Sequence, residues 1–221
     1  MLKISYKIIR RIILIWQKIR VHYYKSFQNA VDITGNPISW QPLLITGNGR
    51  VKFKGKVQIG YFPSPYFFNG STYFDLKGNN SLIEIEDGTV INNNSVIIAD
   101  GASVSIGKKC LIGTYFSAVT SDFHNIDPEK RDSGDFPRID VVIEDNVFIG
   151  NNVSILKGVT VGENSVIGTG SVVVSDIPEN VIAAGVPCKV IRHLSDNDLI
   201  DKPDEPIVEH LELPTVPKLS V

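Results

Sequence analysis

Aliphatic side chains recur at intervals of six residues through the second half of this chain. The residues that mark the interval are Ile143, Ile149, Ile155, Val161, Ile167 and Val173. A helix repeats every ~3.6 residues and a flat strand every ~2, so neither element explains the pattern. Six residues make one short strand and one turn of a β-solenoid, with the aliphatic packed inside. The alternative is a β-sandwich, but its strands are spaced about 8–12 residues apart.

Smaller side chains stand two residues before each aliphatic, and polar turn residues such as Gly and Asn follow. The smaller residues are Val141, Val147, Val153, Val159, Ser165 and Ser171. Two shorter upstream blocks keep the interval, at Ile85, Ile91 and Ile97 and at Ile106, Ile112 and Ala118. The nine-residue step from Ile97 to Ile106 predicts an irregular turn, and the interval is faint before residue 80.

The N-terminal segment has a helical pattern and a concentrated positive charge. Isoleucines recur at helical spacing, and residues 1–31 hold seven Lys and Arg and no Asp or Glu. This predicts a basic amphipathic helix over residues 1–30 that is too short in apolar length to span a bilayer. Two interpretations stay open. The helix caps the solenoid or packs on a partner subunit, or residues 1–27 lie on an anionic membrane surface.

Length, charge and cysteine content limit the domain organisation and the classes of function. A chain of 221 residues with net charge −2 fits one domain with appendages and carries no nucleic-acid signature. We expect the solenoid over residues 31–194, with a short helical turn and an acidic, Pro-rich tail over residues 195–221. The two cysteines, Cys110 and Cys188, fit a reducing compartment, and Cys110 is expected to be a packed free thiol.

Residues 61–74 are rich in Tyr and Phe, and the six-residue interval fails there. We expect an inserted loop or irregular coil. Burial of the rings against the N-terminal helix is favoured over stacking on a sugar.

The interval also stops between Ala118 and Ile143, where the sequence is polar and contains Pro and Gly. This predicts a loop near residues 120–140 that projects from the solenoid wall, and long loops in regular repeats commonly serve function. Of the four histidines, only His124 lies where the repeat meets the loop. Histidine can exchange a proton near neutral pH, as a general base must; the alternative is a solvated surface residue.

Two segments resemble a known family. Residues 146–173 have the sequence NVFIGNNVSILKGVTVGENSVIGTGSVV, and residues 183–192 have AAGVPCKVIR. They resemble the hexapeptide-repeat acyltransferases, above all the galactoside and maltose O-acetyltransferases and surface-polysaccharide O-acetyltransferases. The resemblance is strong over about residues 104–194. It implies an all-β fold, a left-handed parallel β-helix assembled as a homotrimer, with acetyl-CoA as co-substrate and active sites between subunits.

The resemblance also implies roles for residues of the loop. His124 matches the general base at the base of the protruding loop. From its spacing, two residues away and on the same side if the stretch is extended, Asp122 is a candidate to fix its tautomer, with Asp135 or a backbone carbonyl as alternatives. Both acids could instead only solvate the loop.

Five further positions match the acetyl-CoA groove of the family. Asn151, Thr169 and Gly170 match the stretch that faces the groove and the pantetheine arm, while Lys189 and Arg192 match positions that contact the nucleotide end. For the two cations the alternative is ordinary surface charge, and for Thr169 and Gly170 it is turn geometry alone.

The resulting hypothesis is a cytoplasmic, CoA-dependent acetyltransferase that acetylates a sugar hydroxyl in surface polysaccharide biosynthesis, with a peripheral place at the inner face of the membrane left open. N-acetylation of an amino sugar or nucleotide-sugar, or O-acetylation of serine, is the alternative chemistry. A scaffold without chemistry is the non-enzyme alternative. No metal is required, since a zinc hydrase of the related type needs several converging histidines.

Overall fold

The computed structural model describes residues 6–28 and 32–195 of the chain. It begins with one α-helix, α1 (Tyr6–Lys25), which lies within the predicted range 1–30. Twenty strands follow in the described part, with a 3-10 helix at Pro128–Lys130. The strands are β1 (Asp32–Thr34), β2 (Ile38–Ser39), β3 (Leu43–Gly47), β4 (Arg50–Phe53), β5 (Gln58–Ile59), β6 (Thr72–Lys77), β7 (Leu82–Ile85), β8 (Val90–Ile91), β9 (Val96–Asp100), β10 (Ser103–Ile106), β11 (Leu111–Ile112), β12 (Ser117–Val119), β13 (Val141–Ile143), β14 (Phe148–Ile149), β15 (Ser154–Ile155), β16 (Thr160–Val161), β17 (Val166–Ile167), β18 (Val172–Val173), β19 (Val181–Gly185) and β20 (Cys188–His193).

Three sheets form the sides of a prism. Sheet A has the order β1-β4-β7-β10-β13-β16, sheet B has β2-β5-β8-β11-β14-β17-β19-β20, and sheet C has β3-β6-β9-β12-β15-β18. From β1 to β18 successive strands therefore lie in successive sheets, and each coil of the chain adds one strand to each side; β19 and β20 both join sheet B. The named strands pair in parallel except β19 and β20, which form an antiparallel hairpin. The predicted solenoid is confirmed.

The register explains the six-residue interval. In the regular block Val142 pairs with Thr160, 18 positions later, so one coil is three hexads. Across the projecting loop Ser117 pairs with Ser154, 37 positions later. The loop thus adds 19 residues (37 − 18) between β12 and β13 without shifting the stacking of the coils.

The repeated aliphatics fill the interior of the prism. All six marker residues of the regular block are at most 1% exposed, and the smaller residues two positions before them are buried as well. The buried hydroxyls are satisfied, because Ser165 Oγ donates to the Pro178 carbonyl (2.7 Å) and Ser171 Oγ to the Gly168 carbonyl (2.6 Å). The interior is therefore a continuous aliphatic column, as the interval predicts.

The solenoid also extends through the region before residue 80, where the interval is faint. There sheet C uses longer strands that place two side chains inside, such as Phe74 and Leu76 of β6. Alternation along a strand has a period of two, which hides the interval of six. The same effect produces the irregular step after Ile97, because β9 also buries Ala99 before a turn at Gly101.

The aromatic segment divides into a loop and a strand. Residues 61–71 leave the wall as predicted, but β6 starts at Thr72, so the expectation of irregular structure through residue 74 is wrong at its end. Tyr73 and Phe74 alternate outward and inward, and Phe74 enters the core. Phe67 is buried, and its carbonyl accepts from Gln17 Nε2 of α1 at 2.9 Å, whereas Tyr66 and Phe68 are exposed. The predicted burial of the rings therefore holds for Phe67 and not for these two neighbours.

The helix α1 lies against the N-terminal coil. The Gln17 amide is buried and also donates to the Trp40 carbonyl (3.1 Å). The Arg20 guanidinium donates to the carbonyls of Phe68 (2.8 Å) and Gly70 (2.6 Å). One face of the helix is thus fixed to the solenoid. No helix in the described ranges has the length and hydropathy to cross a bilayer, and the predicted tail beyond Ser195 lies outside those ranges.

Candidate active site

The projecting loop leaves the wall where sheet C passes to sheet A, and three side chains close its base. Buried Asp100 accepts hydrogen bonds from Ser121 Oγ (2.9 Å) and from Arg138 Nε (3.3 Å). Ser121 and Arg138 also pair as an antiparallel bridge between the outgoing and returning chain. We call Asp100, Ser121 and Arg138 the loop clamp. It fixes where the loop starts and ends.

A strained turn stands directly before the candidate base. Phe123 has φ +62°, in the left-handed region that bulky residues rarely adopt. Its N–H donates to Ser121 Oγ (3.3 Å), and Lys77 Nζ lies 4.6 Å from the centroid of its ring. Eight other non-glycine residues of the described ranges also have a positive φ, so this conformation shapes the turn before His124 and does not by itself mark a functional site.

The contacts of His124 define its tautomer. Its Nδ1 lies 3.2 Å from the carbonyl oxygen of Arg131, which can only accept a hydrogen bond. Nδ1 therefore carries a hydrogen, which in the neutral ring leaves the lone pair on Nε2. Asp132 Oδ1 lies 3.7 Å from the same Nδ1. The side chain is 66% exposed, so solvent and substrates can reach the ring.

The two acids proposed to orient His124 have other partners. Asp122 accepts a hydrogen bond from Lys157 Nζ at 2.6 Å, which ties the start of the loop to the next coil. Asp135 contacts the Asn125 side chain through its backbone carbonyl, and its N–H donates to Ser133 Oγ. The structure thus places a backbone carbonyl at Nδ1, which is the alternative that the sequence left open.

Three of the predicted groove residues meet at one corner of the prism, between sheets B and C. The Gly170 N–H donates to the Asn151 carbonyl (2.9 Å), and Asn151 Oδ1 accepts from the Thr114 N–H (2.9 Å). Thr169 and Gly170 are exposed. Gly170 has φ +75°, and a Cβ added there would meet no atom within 4 Å. The positive φ favours glycine, but the equivalent turn positions of the preceding coils hold Asn152 and Tyr115, so the turn does not require it. The space beside Gly170 is open.

We call this set, Thr114, Asn151, Thr169 and Gly170, the coil corner. The two candidate cations lie on β20 and are both exposed. Lys189 pairs with Ala184 near the end of β19, whose Gly185 N–H donates to Ser171 Oγ (3.1 Å) beside the coil corner. Arg192 is three residues further along, about 10 Å in an extended strand.

One protomer keeps the two halves of the predicted site apart. The coil corner lies where strands of sheet C begin, and the loop leaves where they end. Six residues separate Thr114 from Thr120, which is about 20 Å of extended chain. The structure therefore groups Asn151, Thr169, Gly170 and Lys189, and it holds His124 at the opposite edge of the same face.

The cysteines are packed thiols, as predicted for Cys110. Cys110 and Cys188 are both free and buried. Burial raises the pKa of Cys110 to about 11, so the thiol stays protonated and is a poor nucleophile at neutral pH. Within residues 6–28 and 32–195, no three His, Cys, Asp or Glu side chains cluster as a metal site.

Sequence reasoning missed the loop clamp, Lys157 and the strained Phe123. One usable signal existed. Because the loop adds 19 residues to an 18-residue coil, positions about 37 apart become neighbours, as Asp100 and Arg138 do. Residue types do not reveal the positive φ of Phe123 or the position of the Arg131 carbonyl, since both are properties of the backbone.

The chain is similar to proteins of a known family. The family described as bacterial transferase hexapeptide (six repeats) matches residues 140–175. Galactoside O-acetyltransferase of Escherichia coli K12 is 38% identical over 139 residues, which cover 62% of this chain and 61% of that protein. The chain spans about six tenths of the length of three of its curated relatives and less of others.

Two solved structures share the fold. A galactoside acetyltransferase in complex with coenzyme A matches with a TM-score of 0.53 and 25% identity, over 89% of this chain and 87% of that one. The polysialic-acid-specific acetyltransferase NeuO matches with a TM-score of 0.51 and 26% identity, over 75% of this chain and 88% of that one. The predicted left-handed parallel β-helix and the resemblance of this chain to the hexapeptide-repeat acyltransferases are therefore confirmed.

Proposed function

We propose that this protein transfers an acetyl group from acetyl-CoA to a hydroxyl group of a sugar. The observation that carries the proposal is the orientation of His124. Its Nδ1 is held by the Arg131 carbonyl, so Nε2 is free to accept a proton at the base of an exposed loop. The relatives named as galactoside O-acetyltransferases support the choice of acyl donor and of a sugar acceptor.

The chemistry follows from this geometry. A sugar hydroxyl is a poor nucleophile near neutral pH, so His124 Nε2 accepts its proton while the oxygen attacks the thioester carbonyl. The carbon–sulfur bond then breaks, and His124 returns the proton to the leaving sulfur, which gives an acetyl ester and free CoA. General-base help of this kind contributes about 10²–10⁴-fold. The Arg131 carbonyl and Asp132 stabilise the imidazolium while it holds the proton.

The coil corner and β20 are the proposed acetyl-CoA site. Thr169 and Gly170 leave an open, shallow surface along which the thin pantetheine arm can approach the backbone. Lys189 and Arg192 offer positive charge for the phosphates. The Gly170 and Thr114 N–H groups already donate to Asn151, so the other backbone N–H groups of the coil corner are the candidate donors to the oxyanion that develops on the thioester carbonyl.

We propose that a homotrimer completes the site. The coil corner and the loop with His124 lie at opposite edges of sheet C, with up to about 20 Å of chain between Thr114 and Thr120, which is too far for one substrate pair. If the chains form a closed ring with the same head-to-tail contact at each interface, the coil corner of one protomer can face the loop of its neighbour. Asp122 then serves to position the loop through Lys157, rather than to contact His124.

We place the enzyme in the cytoplasm, in surface polysaccharide biosynthesis, with residues 1–27 as a peripheral contact at the inner face of the membrane. Two free thiols support a reducing compartment. An exposed His124 on a projecting loop suits a bulky glycan acceptor, and a structural neighbour is named for its action on polysialic acid. The positive charge of residues 1–31 supports the membrane contact.

The direct test measures free CoA thiol released from acetyl-CoA against a panel of sugars, nucleotide-sugars, amino sugars and serine. We expect turnover with sugars that offer a hydroxyl, and a loss of about 10²–10⁴-fold for His124→Ala at an unchanged thermal midpoint. Glu129→Ala, an exposed residue of the same loop, is the matched control and should keep the wild-type rate. Normal turnover by His124→Ala, or acetylation only of amines or serine, would contradict the proposal.

A further inference from the structure

The outward face of α1 carries a strip of large apolar side chains. The helix turns Leu14, Gln17, Val21 and Tyr24 towards the solenoid, at spacings of three and four residues. On the opposite face lie six residues that are between 48% and 60% exposed. These are Ile8, Ile12, Ile15, Trp16, Ile19 and Tyr23, which we call the apolar strip. In the described ranges nothing covers it.

A basic strip runs beside the apolar strip. Arg11, Lys18 and Lys25 are spaced by seven residues, so they follow one side of the helix, and all three are exposed. The whole segment 1–31 has no acidic residue to neutralise them. A helix with an apolar outward face, an interfacial Trp and Lys or Arg along its flank has the composition of a helix that lies in a bilayer interface.

We propose that α1 docks this protein on an anionic phospholipid surface. The apolar strip enters the boundary between headgroups and acyl chains, and the basic strip contacts lipid phosphates. Charge complementarity favours this occupant over the same helix of a second copy, because two such segments would bring like charges together. This inference refines the proposed peripheral location and requires no step of the acetyl transfer.

The docked helix also orients the solenoid. Its inner face is fixed to the first coil by the buried Gln17 amide, which donates to two backbone carbonyls. Sheet C stacks β3, β6, β9 and β12, so the loop with His124 leaves the wall three strands further along. At ~4.8 Å per strand this is about 14 Å from the docked end. If the proposed function holds, the acceptor that reaches His124 is a membrane-anchored glycan.

The test is co-sedimentation of the full-length protein with vesicles of phosphatidylcholine, alone or mixed with phosphatidylglycerol. We expect binding to the mixed vesicles only, weakened by salt. Arg11→Gln and Lys18→Gln should each weaken binding about fivefold. The double variant Ile12→Glu/Trp16→Glu should abolish binding. Ile126→Glu, which alters an apolar side chain of the projecting loop that is 79% exposed, is the matched control and should bind like the wild type.

Thermal melting, acetylation of a soluble sugar and oligomeric state separate docking from other effects of the substitutions. Thermal melting verifies that each variant is folded, and acetylation of a soluble sugar by the variants reports on the catalytic site alone. A variant that loses vesicle binding and retains acetylation supports docking. A wild-type protein that binds vesicles but shows no acetylation contradicts the proposed function and does not affect the docking proposal. Absence of wild-type binding to mixed vesicles overturns the docking proposal. So does a double variant that splits an oligomer and leaves vesicle binding intact.

Discussion

At the residue scale, His124 is positioned by backbone more than by side chains. Its Nδ1 lies against the Arg131 carbonyl, and the residue before it is held at φ +62°. The histidine itself was predictable, because it stands where a six-residue interval breaks into a polar loop. Its orienting partner was not, since any residue type at position 131 offers the same carbonyl.

Cys110 allows a prediction about pH and stability. Its thiol is buried, and Sγ lies 3.1 Å from the Glu144 carbonyl, to which the protonated thiol donates. Burial raises the pKa from 9.0 to about 11, so between these values the folded chain keeps a proton that the unfolded chain releases. The free energy of unfolding is therefore expected to fall by about 2–3 kcal/mol as the pH rises through this window. Below pH 9.0 the contribution is complete.

The measurement is urea unfolding of the wild type and Cys110→Ala at a series of pH values across that window. Other groups also titrate there, so the informative quantity is the difference between the two slopes. We expect the stability of the variant to decline less steeply. Parallel curves would mean that the thiol titrates alike in the folded and unfolded states.

At the element scale, the sequence predicts regular hexads well and long strands poorly. Residues 141–173 have two- or three-residue strands, and each hexad there supplies one side of the prism. In β3, β6 and β9 the strands are longer, and alternation with a period of two replaces the interval of six. The β19–β20 hairpin also escaped prediction, because its strands lack the interval.

The loop clamp gives a prediction at this scale. Arg138→Met keeps the length of the side chain and leaves the buried Asp100 carboxylate with Ser121 as its remaining clamp partner. We expect the free energy of unfolding to fall by about 1–3 kcal/mol, since Arg138 is partly exposed and solvent replaces some of the lost interaction. The kcat should fall about tenfold or more, because a shifted loop misplaces His124.

Steady-state kinetics separate positioning from binding. The KM for acetyl-CoA should stay unchanged, since Arg138 is held by Asp100 at the base of the loop and is not among the residues proposed to bind acetyl-CoA. Arg138→Lys should recover part of the kcat. Lys130→Met removes an exposed cation of the same loop, whose carboxylate partner, Asp127, lies 3.8 Å away, and serves as the control. A kcat for Arg138→Met equal to that of this control would show that the clamp does not position His124.

At the scale of the whole molecule, one chain presents two half-sites. The coil corner with Lys189 and the loop with His124 lie at opposite edges of one face, across a strand of up to about 20 Å. A repeat that stacks only on its neighbours does not fold back to join them, and we propose that a second chain brings them together. The sequence indicates each half of the proposed site through its motif. The separation of the two halves follows from the stacking of the coils, which the motifs alone do not show.

The most direct test of this account mixes two inactive variants. His124→Ala removes the base, and Thr169→Trp fills the open surface of the coil corner. Each homo-oligomer should be inactive. If each site takes His124 from one chain and the coil corner from the next, an equal mixture that is unfolded and reassembled has about one quarter of its sites intact.

We therefore predict that the reassembled mixture regains about one quarter of the wild-type rate of CoA release, while each variant reassembled alone stays inactive. Wild-type protein taken through the same cycle gives the reference rate. A mixture no more active than its two parents, despite proven co-assembly, would contradict a catalytic site shared between neighbouring chains.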